Sequence, residues 1–556
     1  MHFLPLSLVT GAVLVSLGVI EAIAGQSPTT TSLPSLSGKH GGVATEVGEC
    51  SSIGVDIMKA GGNAADAILA SALCVGTIAA YHSGIGGGGF MLIDFREMAP
   101  AAANETMLTS STNPGASSVF GGLAIGVPGE FRGWEMLHKR HGRLPWHTIF
   151  APAIKLARHG FPLNADLEYF VNMGQDFILK DPLWAERYVD ALEHIANNGP
   201  NTFYKGRIAT NIAEAVFAQG GVLTTRDLEN YSAVIRKPVN ITYRNHRIFS
   251  TVAPSSGAVV LSALKIFEGY RGNYTDSDPE INVTTHRLIE ATQFAYGQRT
   301  QYGDPAFVTN VQDLQQYYLA DEVVAVSQSC EAKSKIMPRS RCRTYYDPAN
   351  YTILDDHGTS HMAAIDESGM AVSLTTTINL YWGSQVMTAD GIVLNNQMDD
   401  FSSPGQTNAF GFAPSPSNFI RPGKRPQSSI SSSIAEDLVT GEITIATGSA
   451  GGSRIITATL QELYHYIDQG LSPAECTGHA RWHDQLSGVT YFETGSDALG
   501  IKGFDNGTIA YLRSLGYNTT AQDLIGSTSH VVARAKNGTI TAASDPRKVA
   551  ACGAAY

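Results

Sequence analysis

The chain has 556 residues, of which 43% are apolar and 16% charged. That is enough apolar matter for a large core and excludes bulk disorder. Lys and Arg total 38 against 50 Asp and Glu, a net charge of −12, so a chain-wide basic footprint for nucleic acid is excluded too. An anionic substrate must then be met by one or two specific Arg or Lys residues.

In chain order, Phe3 to Ile20 is apolar and uncharged, and Ala22-Ile23-Ala24 fits a small-x-small cleavage pattern. Residues 1–24 read as a signal peptide with Gly25 as the mature start, or as an uncleaved signal anchor. Either puts the main body on the secretory side. Residues 25–40 are rich in Ser, Thr and Pro and read as a disordered linker, with order beginning near Gly41. Cys50 to Lys59 and Ala64 to Val75 show helical spacing, broken by Gly61-Gly62-Asn63, and predict two helices packed through Ala and Gly. From 120 to 350 the pattern is mainly helical. His361 to Asp366 and Met370 to Asn379, separated by Glu367-Ser368-Gly369, predict a β-hairpin. Ile392 to Leu394, Ser431 to Ala435 and Glu442 to Thr447 are further strand candidates, and Arg454 to Gln469 a helix. Strands flanked by helices on both sides imply sheets layered between helices.

The six cysteines are Cys50, Cys74, Cys330, Cys342, Cys476 and Cys552. An even, sparse set in a secreted chain implies two or three disulfides, and six cysteines allow 15 connectivities. No pair has zinc-ligand spacing. Eight N-x-[ST] sequons, at Asn104, Asn240, Asn273, Asn282, Asn350, Asn506, Asn518 and Asn537, imply a glycosylated surface.

Gly358-Thr359 stands in front of a predicted strand. A β-branched hydroxyl after an unhindered Gly is what an N-to-O acyl shift needs. The Thr hydroxyl attacks the preceding carbonyl, the ester hydrolyses, and the freed Thr amine serves as a general base. Gly86 to Gly89 lacks the Lys-Ser/Thr ending and the following helix pattern of a phosphate loop.

Several longer motifs occur in order: SGIGGGGFM at Ser83–Met91, GVPGE at Gly126–Glu130, GTSH at Gly358–His361, NNQMDDFSSPG at Asn395–Gly405, PGKRPQSSIS at Pro422–Ser431, TGSAGGSRI at Thr447–Ile455 and ASDPRK at Ala543–Lys548. With them the chain resembles the γ-glutamyltransferase (glutathione hydrolase) family of N-terminal-nucleophile hydrolases, from about Gly41 to Tyr556. The resemblance implies an α/β fold, a four-layer αββα sandwich. It implies self-cleavage between Gly358 and Thr359 into a large chain ending at 358 and a small catalytic chain, 359–556. Thr359 matches the nucleophile and Thr377 a threonine that hydrogen-bonds the nucleophile's amine. Gly451 and Gly452 match the oxyanion hole, where two N–H groups without a Cβ in the way converge on a tetrahedral oxyanion.

Around the substrate's α-groups, Arg96 matches a carboxylate clamp, suited by its planar fork. Ser428 and Ser429 match hydroxyl donors to the same carboxylate. Asn379, Gln397 and Asp400 match the surroundings of the ammonium, with Asp400 as countercharge; Asp399, its neighbour in an expected strand, then points to the opposite face. Ser402 to Arg425 resembles a loop bordering the pocket, and Gly86 to Gly89 matches a structural packing turn of the family near the site. Cys50–Cys74 matches a disulfide of some members; Cys330–Cys342 and Cys476–Cys552 are weaker pairings. The chain departs from the family pattern before Asp94, where the hairpin is shorter by roughly ten residues, which leaves open whether Arg96 reaches the pocket. The implied partners are glutathione and other γ-glutamyl compounds, amino acid or dipeptide acceptors, and the two chains of one precursor; no nucleic acid, metal or organic cofactor is implied. The rivals are a related amidase, acting on poly-γ-glutamate or an acyl side chain, and an inactive binding protein of the same fold. The expected location is secreted or on the extracellular membrane face, with vacuolar delivery as a variant.

Overall fold

A computed structural model describes residues 35–109, 115–181, 183–270, 275–277, 279–321, 346, 358–405 and 414–556. The expected leader, residues 25–34 of the expected linker, Cys330, Cys342, Asn273 and Asn350 lie outside these residues.

The elements that build the layers are, in chain order, β1 (Ser35–Gly38), β2 (Gly41–Ala44), α1 (Gly48–Lys59), α2 (Ala64–Ile78), β3 (Gly88–Phe90), β4 (Ile93–Asp94), α3 (Trp146–His159), α4 (Ala165–Ile178), α5 (Trp184–Asn198), β5 (Val234–Ile235), β6 (Val239–Tyr243), β7 (His246–Ser250), α6 (Gly257–Phe267), α7 (Ile281–Arg299), β8 (Ser360–Asp366), β9 (Ala371–Thr377), β10 (Ser433–Asp437), β11 (Ile443–Ala450), α8 (Arg454–Ile467), β12 (Thr528–Arg534), β13 (Ile540–Ser544) and β14 (Ala554–Ala555). They form two seven-stranded antiparallel sheets. The first runs β14-β2-β8-β9-β3-β4-β5 and the second β1-β13-β12-β11-β10-β7-β6. Helices α1 and α2 pack on the outer face of the first sheet, with α3 stacked on α2 and α5 on α3; α6 and α8 pack on that of the second, with α7 stacked on α6. This is the expected αββα sandwich.

The helix α2 is buried on all sides, which its Ala-rich, uniformly apolar sequence allows. Asn63 caps it: its side chain accepts from Ala65 N and Asp66 N, and Asp66 returns a bond to the Asn63 backbone. The Cys50–Cys74 disulfide ties α2 to α1. Between the sheets the alanines Ala44, Ala363, Ala446 and Ala542 pack with Ile365, Val532 and Ile540. Toward the end that carries Thr359 this interior turns polar. Ser373 Oγ donates to Thr447 O at 2.8 Å, and the Thr375 and Ser432 hydroxyls lie 3.0 Å apart.

Several expectations are corrected. Ser35–Gly38, read as linker, pairs with Ile540–Ala543 as an edge strand; Leu36 supplies one apolar residue and the partner strand does the rest. Ile392–Leu394 is not a strand, because only Val393 bridges to Met387. Three short strands, β5 to β7, interrupt the stretch read as helical. Cys476 and Cys552 are both free thiols and do not pair. Gln397–Asp400 is a 3-10 turn, not a strand, so the separation of Asp399 from Asp400 arises from the turn of the helix.

Candidate active site

The hairpin β8–β9 delivers the candidate nucleophile. Its register pairs Ser360 with Thr376, so the next step outward sets Thr359 opposite Thr377. The Thr359 hydroxyl donates to Thr377 Oγ1 at 3.1 Å. That oxygen also accepts from Asn379 N at 2.7 Å. The observed contact is therefore hydroxyl to hydroxyl. Thr359 has φ +85°, a conformation costing a β-branched residue on the order of 1–3 kcal/mol. Gly358 is required on its other side, since a Cβ there would lie 1.8 Å from Asn379 O. Gly87 and Gly89 likewise let β3 lie against the Thr377 and Thr375 carbonyls, where a Cβ would sit at 2.1 and 2.0 Å. This confirms the packing reading of the glycine run.

Thr359 borders two cavities. The first is lined by Arg96, Thr377, Asn379, Gln397, Asp400, Ser428, Ser429 and Gly452, together with Arg299, Asn418 and Gln427. All the residues matched to substrate binding thus share one pocket. Arg96 reaches it despite the short hairpin. Its guanidinium pairs with Asp400 and donates to Gln427 O at 3.2 Å and Pro426 O at 3.4 Å. A set of ion pairs holds the hairpin in place of the missing residues. Asp94 accepts from Arg96 N at 3.0 Å and from Arg236 Nε at 2.6 Å, and lies 3.4 Å from Arg425. Tyr231 donates to Arg96 O at 2.7 Å.

Asp400 also accepts from Gln397 Nε2 at 2.8 Å. Burial pushes its carboxyl above the usual carboxylate range, against the pull of Arg96. Asp399 is buried and does not line the pocket. Asn379, at φ +77°, donates through Nδ2 to Asn396 O at 3.1 Å. Ser428 Oγ accepts from Ile430 N at 3.2 Å, and Ser429 Oγ from Arg299 Nη2 at 3.1 Å. Of the expected bordering loop, residues 406–413 lie outside the described residues; Asn418 donates to Asp400 O at 2.7 Å.

The second cavity lies across Thr359 and is lined by Gly358, Gly451, His82, Phe170, Tyr381, Ile525, Arg547 and Lys548. Its wall is more apolar, with Asp166, Arg547 and Lys548 as its charged groups. Behind it, Glu46 accepts from Ser360 Oγ and lies 3.2 Å from His82 Nε2 and 3.6 Å from Lys548 Nζ. Burial pushes Glu46 up, but His82 and Lys548 outweigh it and hold its carboxyl at about 2. Gly451 and Gly452, at φ +118° and +57°, end β11 and lead into α8, one on each cavity. A Cβ on Gly451 would lie 2.3 Å from Gly526 O. The buried pair Arg481–Asp545 holds that neighbouring loop, since Arg481 also donates to Ser527 O at 2.9 Å.

Sequence reasoning missed Arg299, Glu46, His82, Asn418, Gln427 and the pocket role of Lys548. Lys548 and Gln427 sit inside motifs already singled out, and His82 directly precedes one. Arg299 and Glu46 carry no local signal.

Comparison with known proteins agrees with this geometry. A profile described as gamma-glutamyltranspeptidase matches residues 50–555. A glutathione hydrolase proenzyme of Arthroderma benhamiae is 42% identical, over 92% of each chain. A glutathione hydrolase of Aspergillus flavus is 38% identical, over 91% of this chain and 88% of its own. A cephalosporin acylase from Bacillus halodurans has the same fold, with a TM-score of 0.78 at 22% identity over 96% of this chain and 98% of its own. A hairpin within the first sheet that carries Thr359, a match along nearly the whole chain and relatives aligned over most of their length agree: the chain belongs to the gamma-glutamyltranspeptidase family of N-terminal-nucleophile enzymes.

Proposed function

We propose that the chain is a glutathione hydrolase and γ-glutamyltransferase that matures by cutting itself between Gly358 and Thr359. The observation that carries this is Thr359 itself. It stands at a strained backbone position, against Thr377, between a zwitterion-lined pocket and a more apolar cavity. In maturation the Thr359 hydroxyl attacks the Gly358 carbonyl, the C–N bond breaks, and water hydrolyses the ester. The products are a Gly358 carboxylate and a free Thr359 amine, and the strain at φ is released with the bond. The large chain, 41–358 with any linker retained, and the small chain, 359–556, stay together because both give strands to both sheets.

In turnover the Thr359 hydroxyl attacks the γ-amide carbonyl. Its own amine takes the proton and passes it to the leaving amine. The Gly451 and Gly452 N–H groups hold the oxyanion. The γ-glutamyl ester then goes to water or to an acceptor amine entering from the second cavity. The Arg96–Asp400 pair suits the free α-groups of the donor, carboxylate to Arg96 and Ser428–Ser429, ammonium to Asp400 with Asn379 and Gln397. That charge pattern favours a γ-glutamyl donor over a plain acyl side chain.

The mature protein is assigned to the secretory side. Exposed sequons at Asn104, Asn240, Asn506, Asn518 and Asn537 support this, as does the Cys50–Cys74 disulfide. Asn282 is half-buried, its carbonyl taken by Thr508 at 2.6 Å.

The test is kcat/KM of the purified, processed enzyme for a γ-glutamyl anilide and its glutaryl analogue, which lacks the amine. A strong preference for the γ-glutamyl compound is expected. Equal rates would move the assignment to a related amidase.

A further inference from the structure

Arg299 is the last residue of α7, a place where the helix dipole favours a cation. It is 3% exposed and lies in the wall of the first pocket. Its Nε donates to Ser256 Oγ at 2.9 Å and its Nη2 to Ser429 Oγ at 3.1 Å. Ser256 in turn donates to Ser428 O at 2.6 Å. The Arg299 carbonyl accepts from Gln427 Nε2 at 2.8 Å. One helix end therefore clips three consecutive residues, Gln427 to Ser429.

The direction of these bonds has a consequence. A guanidinium donates and never accepts. Ser429 Oγ must accept from it, so the serine's own proton is left to point elsewhere. Ser429 lines the pocket, where that proton faces an incoming ligand. A cation behind the hydroxyl also polarises it toward an anion. Arg299 stays cationic at neutral pH even though burial lowers it to about 10.

We propose that Arg299 is a positioning residue of the donor pocket, holding Ser429 so that its hydroxyl donates to the α-carboxylate of the acyl donor. The proposal rests on the γ-glutamyl reading above. Arg96 meets the carboxylate directly; Arg299 works through the serine.

The experiment compares two anilides on processed enzyme: γ-glutamyl, and 4-aminobutyryl, which lacks the α-carboxylate. Arg299→Gln is expected to raise KM for the γ-glutamyl anilide by about tenfold, the size of one charge-assisted hydrogen bond, with kcat changed by less than about threefold. Its kcat/KM for the 4-aminobutyryl anilide is expected to change by less than about twofold. In a Ser429→Ala background the same arginine change is expected to add less than about twofold, because the group it acts through is gone. Arg299→Lys, which keeps charge but loses the fork, is expected to show the same contrast at smaller size, and it is the variant to read should Arg299→Gln fail to fold or self-cleave. Equal losses on both anilides, or additive losses in the double variant, would overturn the proposal. A wild-type enzyme that does not prefer the γ-glutamyl anilide would instead overturn the γ-glutamyl reading, before any variant is measured.

Discussion

The two cavities that meet at Thr359 are built differently. The donor pocket is walled by paired charges and by side chains fixed at both ends: Arg96 on Asp400 and Gln427, Gln397 on Asp400, Ser429 on Arg299. The opposite cavity mixes aromatic and aliphatic walls, Phe170, Tyr381 and Ile525 among them, with His82, Asp166, Arg547 and Lys548, and Tyr169 is 61% exposed at its edge. Buried polar groups discriminate, because a ligand without the matching charge must desolvate them and returns no interaction. An open apolar wall discriminates weakly. On the proposed reading, recognition falls on the acyl side and tolerance on the side where water or an amine enters.

The largest effect is expected at the wall between them. Gly358→Ala would drive a Cβ to 1.8 Å from Asn379 O, displacing the scissile peptide. A denaturing gel should show one uncut chain; normal processing would contradict the tight contact.

Next come the charges of the donor pocket. Asp400→Asn leaves the ammonium of the proposed donor without its countercharge in a buried site, a loss on the order of 3 kcal/mol. Preference for γ-glutamyl over glutaryl anilide should collapse while self-cleavage survives. An unchanged preference would remove Asp400 from the ammonium site. Arg96→Lys keeps the charge but not the fork and should cost on the order of 1.5–3 kcal/mol in kcat/KM for the γ-glutamyl anilide. Unchanged kinetics would mean that the carboxylate is met by another cation.

The opposite cavity should respond less. Lys548→Met is expected to raise KM for a dipeptide acceptor by about threefold, the scale of one partly solvated ion pair. Donor hydrolysis should move less than acceptor transfer. A larger effect on the donor would break the division of labour between the cavities.

The smallest effect concerns the interior beneath both. His530 is fully buried against His361, and burial lowers its imidazole to about 4. A folded value below the unfolded ~6.5 means that its neutral form contributes stability above that pH, lost as pH falls toward 4. In His530→Gln the drop in Tm between pH 7 and pH 4.5 should shrink. An identical drop would show that His530 does not titrate on unfolding.

Legibility from sequence followed how local each signal was. The hairpin 360–377 announces itself through β-branched residues around Glu367-Ser368-Gly369, and α1 and α2 through their spacing and the break at Gly61-Gly62-Asn63. Val239–Tyr243 alternates buried and exposed residues and is followed by a tight turn, so its strand was readable, but helices on both sides masked it. Ser35–Gly38 has almost no strand character of its own; its pairing with β13, some 500 residues away, makes it one. The site behaves alike. Arg96, Asp400 and Ser428–Ser429 came from motif resemblance, whereas Arg299 meets Ser429 across 130 residues of sequence. No spacing rule connects a helix end to a loop that far away; only the packing of α7 brings them together.

The central claim is that Thr359 makes itself an N-terminal nucleophile. N-terminal sequencing of the smaller band of purified protein tests it most directly. The account predicts a start at Thr359-Ser360-His361, and a single uncut chain for Thr359→Ala. A small chain starting elsewhere, or efficient processing of Thr359→Ala, would contradict it.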